Sequence, residues 1–398
     1  MSNVLNSNNI GKKFLLSLET RGIKLGLKRT VELFNICNHP EDNLKSIQVI
    51  GTNGKGSTAA TLSSILMASG LKVGLYTSPH LVDLSERIKI NNQVIDNQFI
   101  DHFIDLYRHD IENLESTFFE VLTVMAASYF NEKNVDIAIF ETGLGGRYDS
   151  VTACKAQTQL FTKISIDHAH ILGNTIEEIA LDKSCAIHKN STCFSIKQTN
   201  MVKNILIQKA IDMSASLTFT QHQNNKVYKS NLLGSHQIEN TQLAIAAAKH
   251  IIDIKEDSIE RGLNSVQWKG RMELLCSEPN VYFDVAHNDD SIIAFCHTID
   301  SLNHRGDKTL IISVQKSKLI EKSIKQLEQR FSKIIITQLN NRMYTSIDLA
   351  SMFLYHSKIE IIDDSTLAIK TGFKNSKKSD LLAIIGSHYW GDIVYKNF

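Results

Sequence analysis

Seven residues, Gly51-Thr52-Asn53-Gly54-Lys55-Gly56-Ser57, follow the apolar run Ile47-Gln48-Val49-Ile50 and lead into a helix-like stretch, Thr58 to Ser69. Strand, glycine loop, helix is the pattern that constrains this chain most. The glycines let the backbone turn its N–H groups onto an anion, and the helix N-terminus adds a positive dipole. At this spacing Lys55 reaches the terminal phosphates of a nucleoside triphosphate and the Ser57 hydroxyl holds Mg²⁺. An incidental glycine-rich turn is the plainer alternative, but the strand before and the helix after favour phosphate. The expectation is an ATP-using protein.

The rest of the chain keeps the same rhythm. Leu71 to Tyr76, Val135 to Phe140 and Leu160 to Ile166 read as strands, and Phe118 to Phe130 carries apolar residues at helical spacing. After Arg271 the pattern restarts, with strand-like runs at Val281 to Phe283, Thr309 to Val314, Lys333 to Thr337, Ile359 to Ile362 and Asp380 to Ile385. Apolar runs alternating with helices imply parallel sheets covered on both faces. At 398 residues the chain exceeds one ordinary core. The predicted fold is therefore α/β in two parts: a P-loop-type, mostly parallel sheet domain over residues 1–275, then a smaller Rossmann-like α/β domain over 276–398. The stretch Glu273 to Asn280, which holds Pro279, is the expected boundary. The site should lie at the C-terminal ends of strands or between the domains.

Charge excludes some partners. With 43 basic and 42 acidic residues the net charge is +1, which gives no electrostatic reason to expect nucleic acid or an anionic membrane. No apolar run approaches the roughly 20 residues of a membrane helix. Met1 to Lys13 is polar, and Phe14-Leu15-Leu16 is too short for a signal-peptide core. A cytoplasmic protein is expected. Six cysteines, scattered with no C-x-x-C pair, read as small buried apolar residues rather than zinc ligands.

Two further strand ends carry polar chemistry. Val135 to Phe140 runs into Glu141, and a carboxylate there can hold Mg²⁺ opposite the glycine loop. Gly143, Gly145 and Gly146 come directly after, so something approaches the backbone closely; a tight turn in which Glu141 only caps a helix is the alternative. Leu160 to Ile166 ends in Asp167-His168, where the imidazole is as readily a structural group as a metal ligand. Lys183, on the helix-like stretch Ile176 to Ile187, reads by spacing alone as an exposed helix lysine.

Taken together, the chain resembles the folylpolyglutamate synthase/dihydrofolate synthase branch of the Mur-type ATP-dependent amide ligases. The matching segments are Gly22 to Leu27 with Arg29, the loop Gly51 to Ser57, Thr77 to Leu81 with Glu86-Arg87-Ile88, Thr117 to Glu120 and Glu141 to Asp149. They continue through Asp167-His168, Leu172-Gly173, Thr175, Asp182-Lys183, Gly234 to Gln237 with Asn240, Gly270-Arg271 and Phe283 to Asn288, with an echo at Gly386-Ser387.

The resemblance implies roles. Asn53, Gly54, Lys55, Gly56 and Ser57 wrap the ATP phosphates, and Asn240, Arg271 and Asp284 contact the nucleotide. Ser57, Ser78, Glu141 and His168 hold Mg²⁺ at two sites, with Lys183 carried as a carbamate beside them. Lys24, Leu25, Gly26, Leu27, Thr117, Phe118, Phe119, Glu120, Tyr148, Asp149 and Ser150 line the pterin site. Lys55, His168, Lys183, Arg271 and His287 form the catalytic set. The implied reaction joins L-glutamate to dihydropteroate and to reduced folates through an acyl phosphate. The partners are then small molecules, and the enzyme a monomer.

Departures are local. Asp149-Ser150-Val151-Thr152 stands where the family reads Asp-Ala-Thr-Asn, and Asp182-Lys183-Ser184-Cys185 where it reads Glu-Lys-Ala-Gly. Asp289 replaces a proline, and Lys316-Ser317-Lys318 an Asp-Lys-Asp loop; both bear on substrate choice. Two other readings stay open: a ligase joining an amino acid to a non-folate aromatic carboxylate, and a P-loop regulator that hydrolyses ATP without ligation.

Overall fold

A computed structural model describes residues 10–220 and 228–398. Residues 1–9 of the polar leader lie outside the described residues. The chain divides into two compact units, one of residues up to Lys229 with Glu239–Val266, the other of Ser230–Ile238 with Gln267–Phe398.

The first unit is built on an eight-stranded sheet: β1 (Ser46–Ile50), β2 (Val73–Tyr76), β3 (Ile88–Ile90), β4 (Gln93–Val94), β5 (Ile137–Glu141), β6 (Thr158–Phe161), β7 (Thr192–Ser195) and β8 (Ser216–Phe219). The order is β4-β3-β2-β5-β1-β6-β7-β8. From β2 to β8 the neighbours are parallel, while β3 and β4 add an antiparallel edge. Every residue of β1 and β5 is buried, as expected of strands covered on both faces. Phe34, Tyr76, Phe103, Phe130 and Phe140 anchor the core on one side.

The helix Lys55–Ala68 is buried from Gly56 through Leu66. Its serines, threonines and alanines are what allow this. A second helix, Glu256–Ser265, lies so close that a Cβ on Gly262 would stand 2.5 Å from Ile65 Cα, and Ser64 Oγ donates to Gly262 O at 2.7 Å.

The second unit holds β9 (Glu273–Ser277), β10 (Asn280–Phe283), β11 (Lys308–Ile312), β12 (Lys333–Ile336), β13 (Ile359–Ile361) and β14 (Leu381–Ile385). The order is β13-β12-β11-β14-β10-β9, parallel except for β9. Ile292, Phe295, Leu310, Phe331 and Ile336 fill its core.

Two expectations need correction. Glu273 to Asn280 is not a boundary: it forms the β9–β10 hairpin, so a division at 275/276 would cut a strand. The units part at Val266/Gln267 instead. The strand predicted over Leu160 to Ile166 ends at Phe161, because Lys163 and Ser165 bond to the glycine loop rather than to a neighbouring strand. Of the six free cysteines, Cys185 and Cys276 are only partly buried.

Candidate active site

The glycine loop leaves the end of β1 in a conformation that needs glycine twice. Gly51 has φ +153° and touches Thr162 so closely that a side chain there would overlap it. Gly54 is left-handed at φ +88° and caps the helix Lys55–Ala68; a Cβ on it would stand 2.5 Å from Asn240 Oδ1. Thr52 N donates to Lys163 O at 2.8 Å. The Thr52 hydroxyl accepts from Ser165 N at 3.0 Å and donates to Ser165 O at 2.9 Å. The loop is therefore fixed before any anion binds. Lys55 Nζ curls over it, donating to Gly51 O and Thr52 O at 3.3 and 3.2 Å. Ser57 is buried in the first helical turn.

Sheet order gathers the other groups. β2, β5, β1 and β6 are consecutive parallel strands, so the residues just past their C-terminal ends lie along one rim. Glu141 closes β5, is 4% exposed and accepts from Ser78 N at 3.0 Å; Ser78 lies just beyond β2. The next helical turn, Ser150–Cys154, is capped by Asp149 rather than by Glu141. His168, beyond β6, is left-handed at φ +51°, its N–H donating to Asp167 Oδ1 at 2.7 Å. Its side chain is 40% exposed.

Lys183 overturns the reading of an exposed helix lysine. It is 4% exposed, and Nζ donates to Gly51 O at 2.9 Å. Burial, and then the charge of Lys55, bring its pKa down to about 7. The missing signal was Gly145-Gly146. A Cβ on Gly146 would stand 2.6 Å from Lys183 O and 2.8 Å from its Cα, and Gly146 N donates to Asp182 Oδ1 at 2.8 Å. These glycines let the helix Ile176–Ser184 dock, and docking buries the lysine.

Next to this rim is a pocket of about 330 Å³ lined by Leu25, Leu144, Arg147, Tyr148, Leu172 and Asp182, among others. Of the residues expected around the pterin, Leu25 and Tyr148 line it. Phe119 packs its ring where a Cβ on Gly143 would be, at 2.6 Å. Lys24 pairs with Glu115 at 2.9 Å, Gly26 faces open space at φ +121°, and Leu27 packs on the core. Thr117 and Glu120 form a capping box, and Glu120 also accepts from Arg29 Nε at 3.0 Å. Phe118 lies under the Arg87 guanidinium at 5.1 Å. Asp149 is buried, accepts from Leu144 N and Val151 N at 2.7 and 3.0 Å, and burial raises its pKa to about 6. Ser150 Oγ accepts from Thr30 Oγ1 at 3.1 Å. Arg147 and Asp182 line the pocket without having been assigned to it from sequence.

The remaining candidates belong to the second unit. Asp284 follows directly on β10 and accepts from Met272 N and Ala286 N, each at 2.8 Å; burial raises its pKa, opposed by Arg271. Arg271 donates to Gly270 O at 3.0 Å, and His287 Nδ1 lies 2.7 Å from Val285 O. Asn240, by contrast, belongs to the first unit and abuts Gly54.

A buried carboxylate, two serine hydroxyls and an imidazole are mainly hard oxygen donors, the kind Mg²⁺ takes beside phosphate. The donor set fits the ion.

Residues 270–388 match the family described as Mur ligase, glutamate ligase domain. The dihydrofolate synthase/folylpolyglutamate synthase of Bacillus subtilis (strain 168) is 32% identical over 341 residues, 77% of this chain and 79% of that protein. Its namesake in Buchnera aphidicola subsp. Schizaphis graminum is 30% identical over 371 residues, 87% of each. Among solved structures, E. coli FolC in complex with ADP, without folate substrate, is similar at a TM-score of 0.87 and 25% identity, over 97% of this chain and 96% of that one. E. coli FolC in complex with DHPP and ADP gives 0.84 and 25%, over 97% of each. The chain belongs to the dihydrofolate synthase/folylpolyglutamate synthase family.

Proposed function

We propose that this chain is an ATP-dependent amide ligase that joins the amino group of L-glutamate to the carboxyl of dihydropteroate, and to reduced folates. One arrangement carries the reading: a prefixed glycine loop on the central strand, flanked by the buried Glu141 and by Lys183 bonded to Gly51.

A carboxylate is a poor electrophile. Transfer of the terminal phosphoryl of ATP to its oxygen gives an acyl phosphate and ADP. The glutamate amine then attacks the acyl carbon, phosphate leaves, and the nitrogen loses a proton. Such chemistry needs positioned charge more than covalent help. The N–H groups of Asn53 to Ser57 hold the phosphates. Lys55 exchanges the carbonyls of Gly51 and Thr52 for the transferring phosphoryl. Asn240 contacts the nucleotide beside Gly54, and Arg271, Asp284 and His287 keep the nucleotide and catalytic roles that the family resemblance gives them. Ser57, Ser78, Glu141 and His168 would hold Mg²⁺ at two sites, and the ion would supply positive charge against the phosphates. A Lys183 amine with pKa about 7 is about half uncharged at neutral pH and open to carbamylation by CO2, which forms an N–C bond, releases a proton and leaves an anionic group beside those ligands. Leu25, Tyr148 and Phe119 hold the pterin, with Lys24, Gly26, Leu27, Thr117, Phe118, Glu120, Asp149 and Ser150 shaping the surrounding framework. In this reading the enzyme works as a monomer in the cytoplasm.

The test is a substrate panel of dihydropteroate, tetrahydrofolate and a simple aromatic carboxylate, each with ATP, Mg²⁺ and glutamate. Phosphate release that requires both acceptor and glutamate, with product heavier by one glutamyl residue, is expected for the pterins. ATP turnover indifferent to both substrates would overturn the proposal.

A further inference from the structure

At the other end of β1 from the glycine loop lies a cluster that the ligase reaction does not use. The helix Lys28–Ile36 ends just before it, where His39 N donates to Phe34 O at 2.8 Å. A single turn, Pro40–Asn43, then leads into the strand. His39 Nδ1 and Glu41 Oε1 stand 3.0 Å apart. A carboxylate oxygen of Asp42 lies within 4.8 Å of the ligand atoms of both. Among the described residues, this is the group of three His, Cys, Asp or Glu side chains with atoms so close.

A second observation gives the cluster meaning. Glu41 is 7% exposed, and its Oε2 is buried with no hydrogen-bond partner. A plain histidine–carboxylate hydrogen bond accounts for Nδ1 and Oε1. It leaves Oε2 stripped of water, which is costly for a carboxylate, and gives Asp42 no part. We propose that His39, Glu41 and Asp42 bind a divalent transition cation of the zinc class.

Two ligand atoms each about 2.1 Å from such an ion lie roughly 3.0 to 3.4 Å apart, which the Nδ1–Oε1 pair already satisfies, while the exposed Asp42 carboxylate, within 4.8 Å, closes on the ion by turning its side chain. One imidazole with two carboxylates and no phosphate beside them suits zinc or cobalt better than Mg²⁺, which takes mostly oxygen donors. The buried carboxylate supplies a preformed anchor. The His39 side chain, 43% exposed, and the exposed Asp42 leave an entry path and room for water as a further ligand. Binding displaces the proton shared by Nδ1 and Oε1, and no oxidation state changes. The ion would brace the turn Pro40–Asn43 and His39 before it, which join the helix Lys28–Ile36 to the central strand, so its role is structural.

The full chain, stripped of metal, is titrated with Co²⁺ and with Zn²⁺ in excess Mg²⁺ and a non-hydrolysable ATP analogue. Visible absorption and calorimetry give the readouts, and Glu141→Ala serves as the control for the nucleotide site. One Co²⁺ equivalent is expected in both wild type and Glu141→Ala. It should be lost in His39→Ala and bound about 10-fold or more weakly in Asp42→Asn, with ligase activity in Mg²⁺ unchanged in these two. Zn²⁺ should raise the thermal midpoint of wild type and not that of His39→Ala. Asp42 is exposed, so its variant folds even if His39→Ala does not. No Co²⁺ beyond what Mg²⁺ displaces, or equal uptake by wild type and Asp42→Asn, would sink the proposal.

Discussion

Replacing Lys183 by Met probes the amine at the centre of the site. Its Nζ is enclosed and makes one bond to Gly51 O, and its pKa falls from 10.5 to about 7, through lost hydration first and the Lys55 charge second. That fall corresponds to about 5 kcal/mol set against keeping a charged ammonium there. Methionine keeps most of the volume and removes the charge, together with one hydrogen bond worth about 1 kcal/mol. The metal-free, nucleotide-free variant should therefore be more stable than wild type by roughly 2 to 4 kcal/mol below the folded-state pKa. The dependence on pH has a definite sign. The folded pKa lies below the unfolded one, so between about 7 and 10.5 the unfolded chain holds more protons, and wild-type stability rises with pH across that window. Lys183→Met lacks this rise, and its advantage should vanish towards the upper end. Urea unfolding with EDTA in carbonate-free buffer, at about pH 6 and about pH 10, reads both quantities. A variant less stable than wild type near pH 6, or one with the same pH slope, would refute the account of a strained buried amine. Ligation should be lost in this variant at every pH, and ¹³C-bicarbonate should label a carbamate in wild type only.

Lys55→Ala should lower kcat by about 100-fold or more, because the ammonium over the loop is the group placed to meet the phosphoryl charge; steady-state phosphate release checks it, and unchanged turnover refutes it. Glu141→Ala should move the Mg²⁺ activation curve to concentrations at least about 10-fold higher, measured at saturating ATP; an unaltered titration removes Glu141 from the metal site. Gly146→Ala should cost about 1 to 3 kcal/mol and reduce activity with it, since the added methyl meets the Lys183 backbone, and urea midpoints would show this. Tyr148→Ala should raise the KM for dihydropteroate about 10-fold while leaving that for ATP in place, which would separate the pocket from the nucleotide site.

Much of the frame was legible because burial on both faces writes itself as apolar runs: β1, β5 and β14 appear in the sequence almost at their true bounds. The glycine loop was legible because Gly51 and Gly54 meet steric demands that no other residue satisfies. Long-range contacts were not. Whether Lys183 is surface or core depends on Gly145 and Gly146, 38 and 37 residues earlier in the numbering, and helical spacing around the lysine holds no trace of them. Thr162 to Asp167 has the composition of a strand, yet its backbone bonds to the loop beside it. Glu120 and Asp149 read from a motif as ligand contacts, and that reading leaves out the structural bonds they also make: one caps a helix and pairs with Arg29, the other holds backbone amides. The division of the chain was misplaced for a similar reason: an antiparallel strand at a sheet edge looks much like a linker with a proline in it.

The helix that carries Lys55 has no solvent side along most of its length. An element enclosed in this way cannot slide or tilt to accommodate a new ligand without disturbing everything packed around it. On the proposed function, diversity of acceptor would arise elsewhere, in the surface segments around Leu25, Arg147 and Tyr148 that line the pocket, while the machinery for handling triphosphate stays mechanically invariant.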